Sequence, residues 1–129
     1  MDIDISASFD VKSWDETPFD EEAGLPKVTR AVVTKSYAGD IDGTSTTQWL
    51  MSYAADGSAT FVGLERIAGS FAGRPGSLVV QHVGAYKDGV AKGSLSVAAG
   101  GSQDLAAAQG AGEFVADPAG SVRLNLTLG

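Results

Sequence analysis

The chain has 129 residues, no cysteine, one histidine and a formal net charge of −7. That length buries a core without staples, and the missing thiols exclude disulfides, thiolate catalysis and sulfur-ligated zinc, while one histidine leaves little for other zinc sites. The acidic balance argues against nucleic acid and anionic membrane surfaces, which reward dense Lys and Arg.

Size reads as a single domain over 1–129, and the 17 glycines are spread along the chain, as turns and bulges would spread them. The start, MDIDISASF, has no basic or apolar leader region, and no apolar run approaches the ~20 residues that cross a bilayer. The expectation is a cytoplasmic protein with no membrane partner.

In chain order, Ile3, Ile5, Ala7, Phe9 and Val11 alternate with polar residues, which predicts a strand with one buried face. Trp14 is expected to cap it, with an acidic loop over 15–24 that lacks calcium-loop spacing. A second strand is predicted from Lys27 to Ala38, a turn at Gly39–Gly43, and a third strand from Thr44 to Ala54 whose inward face is ambiguous. Asp56-Gly57 marks a hairpin turn. Two central strands follow, Ala59–Phe71 and Ser77–Tyr86, then a turn at Lys87-Asp88-Gly89 and a small-residue strand from Val90 to Ala98. Ser102 is expected to cap a helical turn through Ala108, ended by Gly110 and Gly112. Phe114 and Val115 open a seventh strand, Asp117-Pro118-Ala119-Gly120 turns the chain, and Val122, Leu124, Leu126 and Leu128 alternate in the last. About eight short-linked strands predict an all-β fold, a closed antiparallel barrel with an interior that side chains fill or that holds one ligand; a β-sandwich is the alternative.

Chemistry concentrates in the central pair. Glu65 lies mid-strand, where a buried carboxylate costs energy unless partnered and a raised pKa suits acid–base work; an outward Glu65 paired with a cation is the plain alternative. His82, among valines, is either a proton shuttle or a structural histidine. Their relation depends on the connecting turn. A three-residue loop, Gly73-Arg74-Pro75, sets Glu65 beside Gln81 and His82 beside Arg66. A two-residue loop, Arg74-Pro75, puts Glu65 and His82 on one face. Trp49, Tyr53, Phe61 and Tyr86, with Arg66 and Gln81, are the candidate substrate-binding residues, or ordinary core and surface. No metal site, phosphate loop or serine triad is visible, so no cofactor is expected.

The run GLERIAGSFAGRPGSLVVQHVG at 63–84, with Trp14-Asp15-Glu16, Tyr37–Gly43 and the glycine-rich segment at 100–112, resembles a small bacterial family of unknown function grouped with allene-oxide-cyclase-like β-barrels. Gln103 stands where that family usually has glycine. The resemblance implies a closed barrel of about eight strands with an interior cavity, and cofactor-independent cyclase or isomerase activity on a small apolar, polyketide- or lipid-like substrate. A non-catalytic carrier or sensor of apolar molecules, or a structural module, are the other readings. Oily residues on both faces of the central strands, Val79 and Val83 against Leu78 and Val80, suit a homodimer.

Overall fold

The computed structural model describes residues 1–117 and 119–128. Eight antiparallel strands follow in order: β1 (Asp2–Asp20), β2 (Val28–Gly39), β3 (Ile41–Tyr53), β4 (Ala59–Phe71), β5 (Arg74–Lys87), β6 (Val90–Gln103), β7 (Gln109–Ala116) and β8 (Gly120–Thr127). Each pairs with its sequence neighbours, and β1 pairs with β8 from Asp2↔Thr127 to Phe9↔Gly120, which closes the ring. Closure leaves a barrel, not a sandwich, and removes the sheet edges along the paired lengths. Among the described residues no helix is long and apolar enough to cross a membrane.

Several expectations are corrected. The acidic stretch after Trp14 is strand as far as Asp20, and only 21–24 of the expected loop remain outside it: β1 runs on against β2, with Trp14↔Val33 and Glu16↔Ala31. A register shift between Val11 and Ser13 breaks the alternation there; Val11, beyond the last β8 pairing at Phe9, is 48% exposed, and Trp14 does not end the strand. The Gly39–Gly43 turn shrinks to Asp40, whose carboxylate accepts the Ser6 amide at 2.9 Å.

The central hairpin turns at Ala72-Gly73, not at Arg74-Pro75. Ala72 (φ 50°) and Gly73 (φ 82°) are both left-handed, as a primed two-residue turn requires. Proline cannot take that conformation, so Pro75 sits in the strand opposite Ser70. β6 runs through Gln103, and β7 begins at Gln109, before the expected Phe114. Gly110 and Gly112 therefore lie in a strand, where a Cβ would strike the carbonyls of Asn125 and Arg123. Of the expected helix only one turn remains, with Leu105 N–H donating to Ser102 at 2.9 Å and Ala108 N–H to Leu105 at 3.1 Å. The expected turn at Asp117–Gly120 contains Pro118, which lies outside the described residues.

The inward face of β3 is Ser45, Thr47, Trp49 and Met51, leaving Leu50 outside. One end of the barrel is plugged by Ile41, Phe71, Leu78 and Leu105, each 0% exposed. Side chains occupy the middle: Phe9, Trp49, Phe61 and Phe114 interlock with ring centroids 4.8–6.4 Å apart. This filled interior stands where a ligand cavity was expected. Its bulky rings span the narrow bore of an eight-stranded barrel.

Candidate functional site

The Ala72-Gly73 turn fixes the register that decides the site. It pairs Glu65 with Val80 and Gly63 with His82, so Glu65 and His82 are diagonal neighbours on the inward face. Both are fully buried, and His82 Nε2 lies 2.9 Å from Glu65 Oε1. On the next strand, the Trp49 indole N–H donates to His82 Nδ1 at 3.0 Å. Indole nitrogen is only a donor, so Nδ1 is bare and the neutral imidazole carries its proton on Nε2, aimed at Glu65. Gly63 makes this contact possible, because a Cβ there would sit 2.6 Å from Trp49 Cδ1.

Three further side chains converge on Glu65. Tyr37 and Ser45 hydroxyls donate to Oε2 at 2.6 and 2.5 Å, and the Lys35 ammonium lies 3.5 Å from Oε1. The carboxylate thus has donors at both oxygens. Lys35 is less well served. Its hydrogen bond among the described residues is that single long one, and its Nζ otherwise faces the rings of Phe9 (4.6 Å), Trp49 (5.2 Å) and Phe114 (5.5 Å). Such an arrangement is a cation–π cage. Thr47 Oγ1, one inward position further along β3, is buried with no hydrogen-bond partner.

The cluster is overall neutral, which is how an interior tolerates charge. Burial raises the Glu65 carboxyl, but the His82 hydrogen bond, the Lys35 charge and the Ser45 hydroxyl outweigh it and hold the group at about 2. That reverses the expected upward shift: Glu65 is a fixed anion, not a neutral acid. Burial pulls the Lys35 ammonium below its ordinary value, and Glu65 opposes this without cancelling it. Burial likewise lowers the His82 imidazole against the pull of Glu65. The Tyr37 phenol is raised, first by burial and then by the adjacent charge. Chemically, the group with acid strength and spare donors is Lys35; Glu65 and His82 hold it in place.

Of the expected site residues, the structure brings together Glu65, His82 and Trp49, with the Phe61 ring 4.8 Å from the Trp49 ring. The others are elsewhere. Tyr53 lies at the barrel rim, where its hydroxyl donates to Glu16 Oε2. Arg66 and Gln81 alternate outward beside Glu65 and His82 and are exposed, so the Glu65–Gln81 pairing is overturned by the turn position. Tyr86 is exposed near the end of β5. Lys35, Tyr37 and Ser45 were missed. The signal for the first two was their place in Ala31-Val33-Lys35-Tyr37, a period-two face that is buried throughout. Among the described residues no three His, Cys, Asp or Glu side chains gather as metal ligands would.

Fold and site together define a closed eight-stranded antiparallel barrel with a charged, hydrogen-bonded cluster at its centre. The chain belongs to the family described as "Protein of unknown function (DUF3224)", whose model matches residues 5–128. A crystal structure of a protein of unknown function from this family, from Shewanella oneidensis MR-1, superposes with a TM-score of 0.81 at 23% identity, covering 100% of this chain and 99% of that one. No curated protein matches.

Proposed function

We propose that this barrel binds a small apolar molecule carrying a carbonyl group, and promotes its cyclisation or isomerisation without a cofactor. Lys35 donates to the carbonyl oxygen, Glu65 and His82 hold the ammonium in position, and the rings of Phe9, Trp49, Phe61 and Phe114, which fill the bore, part to admit the apolar body. The observation that carries this reading is unused hydrogen-bonding capacity at the centre of an otherwise satisfied core. Lys35 has three donors and one long bond, and Thr47 Oγ1 has no partner. Buried polar groups left in that state are uncommon and cluster at functional sites. Substrate enters at the rim where Trp14, 45% exposed, meets Trp49 edge-on at 5.5 Å. The expected kinship with allene-oxide-cyclase-like barrels belongs to the same reading, through the shared closed architecture.

The test is NMR of the protein with cyclohexenone labelled at the carbonyl carbon. Saturable binding is expected, with a downfield carbonyl shift, perturbed amides at Lys35, Thr47 and His82, and loss of all three effects in Lys35→Met. No saturable binding, or binding that Lys35→Met leaves intact, removes the reading. Binding without conversion of any apolar carbonyl compound assigns a carrier role instead. The filled interior favours a second reading, a solid structural barrel. It predicts that no small apolar molecule perturbs the central amides.

A further inference from the structure

The outer wall of the barrel carries a second feature, unconnected with the buried cluster. Four large apolar side chains on β3, β4 and β5 point into solvent: Leu50, Val62, Leu64 and Val83, between 47% and 55% exposed. They are neighbours by register, with Leu50 opposite Val62 and Val62 opposite Val83. Outward apolar residues on single strands are ordinary; a contiguous set across three strands marks a binding surface. They border two shallow, open depressions on the barrel wall. A groove of about 760 Å³ runs between Leu50, Val62, Leu64 and Val79, and a smaller one of about 360 Å³ continues from Leu50 and Val62 towards Val28 and Val83. The larger lies within the range of small-ligand sites.

Two arginines line the same groove, Arg30 on β2 and Arg66 on β4, with Gln48 of β3 between them. The whole chain has four arginines and a net charge of −7. Half of its guanidinium groups therefore border one apolar groove, and none of the groove's lining residues is acidic. Neither arginine is in an ion pair: among the described residues both ion pairs are at Glu65. The guanidinium fork is suited to carboxylate. A pairing of this face with a second copy would gather four arginines into one apolar interface with no acid among the groove's lining residues.

We infer that this outer groove binds an amphipathic carboxylate, its anionic head between Arg30 and Arg66 over Gln48 and its apolar tail along Leu50, Val62 and Leu64 towards Val83. The occupant is a monocarboxylic acid with a short alkyl or ring body, distinct from the neutral carbonyl compound assigned to the interior.

Octanoate and 1-octanol are the probes, titrated into the isotopically labelled full chain and followed by amide shifts. Octanoate is expected to saturate, with the largest shifts at Leu50, Val62, Leu64 and Val79, and to bind about tenfold more tightly than octanol, the ratio expected for one charge-assisted contact pair. The double variant Arg30→Gln/Arg66→Gln is expected to bring the two affinities within twofold while octanol binding persists, so loss of fold is separated from loss of charge recognition. The inference is overturned by equal affinity for acid and alcohol in the wild type, by shifts centred on Lys35 and His82, by no saturable binding, or by light scattering that shows this face already covered in a dimer.

Discussion

At the scale of single residues, Lys35 and Glu65 are a buried pair whose members depend on one another. Removing one partner leaves an uncompensated charge, whereas replacing both with apolar groups removes the desolvation cost as well. Lys35→Met alone is therefore expected to lower unfolding free energy by roughly 3–5 kcal/mol, and Lys35→Met/Glu65→Leu by clearly less, measured by urea denaturation. A double variant no more stable than the single one would show that the charges are not the source of the cost. Titration gives an independent prediction. Glu65 is held at about 2 in the fold against an ordinary value of 4.5. Its contribution is therefore complete above about pH 4.5 and lost as pH falls from there towards 2. His82 is also lowered, so its contribution is complete above its ordinary 6.5 and declines on acidification. Wild-type stability should fall continuously from about pH 6.5 downward, and the Lys35→Met/Glu65→Leu variant should have a flatter profile between pH 4.5 and 2. A parallel pair of profiles contradicts the assignment.

At the scale of elements, turns decide which side chains meet. Gln103 occupies a left-handed conformation, φ 52°, just before the Leu105 plug. It is the position at which the sequence resemblance led us to expect glycine. A non-glycine residue pays steric strain there, so Gln103→Gly is expected to stabilise the fold by about 1 kcal/mol, read as a shift in the urea midpoint. No change or a loss would mean that the Gln103 side chain makes compensating contacts. The central hairpin teaches the same lesson from the other side. The alternation of Glu65 and His82 with outward neighbours was legible, but whether they share a face was not, because a one-residue difference in the turn exchanges the faces. Gly-Arg-Pro-Gly drew the turn towards Pro75, when the two left-handed positions it needs fall on Ala72 and Gly73. β1 was misread for a similar reason. A single bulge beside Lys12 resets the alternation, and an acidic composition then disguises six further strand residues, 15–20, as a loop.

At the scale of the whole molecule, eight alternating segments with short connections were enough to indicate an all-β closed barrel, and the structure has one. What periodicity does not carry is the identity of residues that converge from different strands. Lys35, Tyr37 and Ser45 meet Glu65 only because β2, β3 and β4 lie side by side in one register. Closure depends on β8, which seals β1 against β7. Ending the chain before Gly120 should expose the edges of both strands, and the truncated protein is expected to elute as aggregates in size-exclusion chromatography. A soluble monomer of native circular dichroism would show that closure is dispensable. Charge is distributed unevenly on the same scale: the outward side of β1 carries Asp2, Asp4 and Asp10, while the groove across β2 to β5 carries Arg30 and Arg66.

The central claim is that a neutral imidazole, proton on Nε2, links Trp49 to the Glu65–Lys35 pair inside the barrel. It is tested most directly by nitrogen-15 NMR of the single imidazole across pH, in wild type and Glu65→Gln. The predicted result is a bare Nδ1 and protonated Nε2 at pH 7, ring protonation at a pH below the ordinary value of ~6.5, and a changed titration in the variant. A ring that titrates near 6.5, with its proton on Nδ1 and no response to Glu65→Gln, would contradict it.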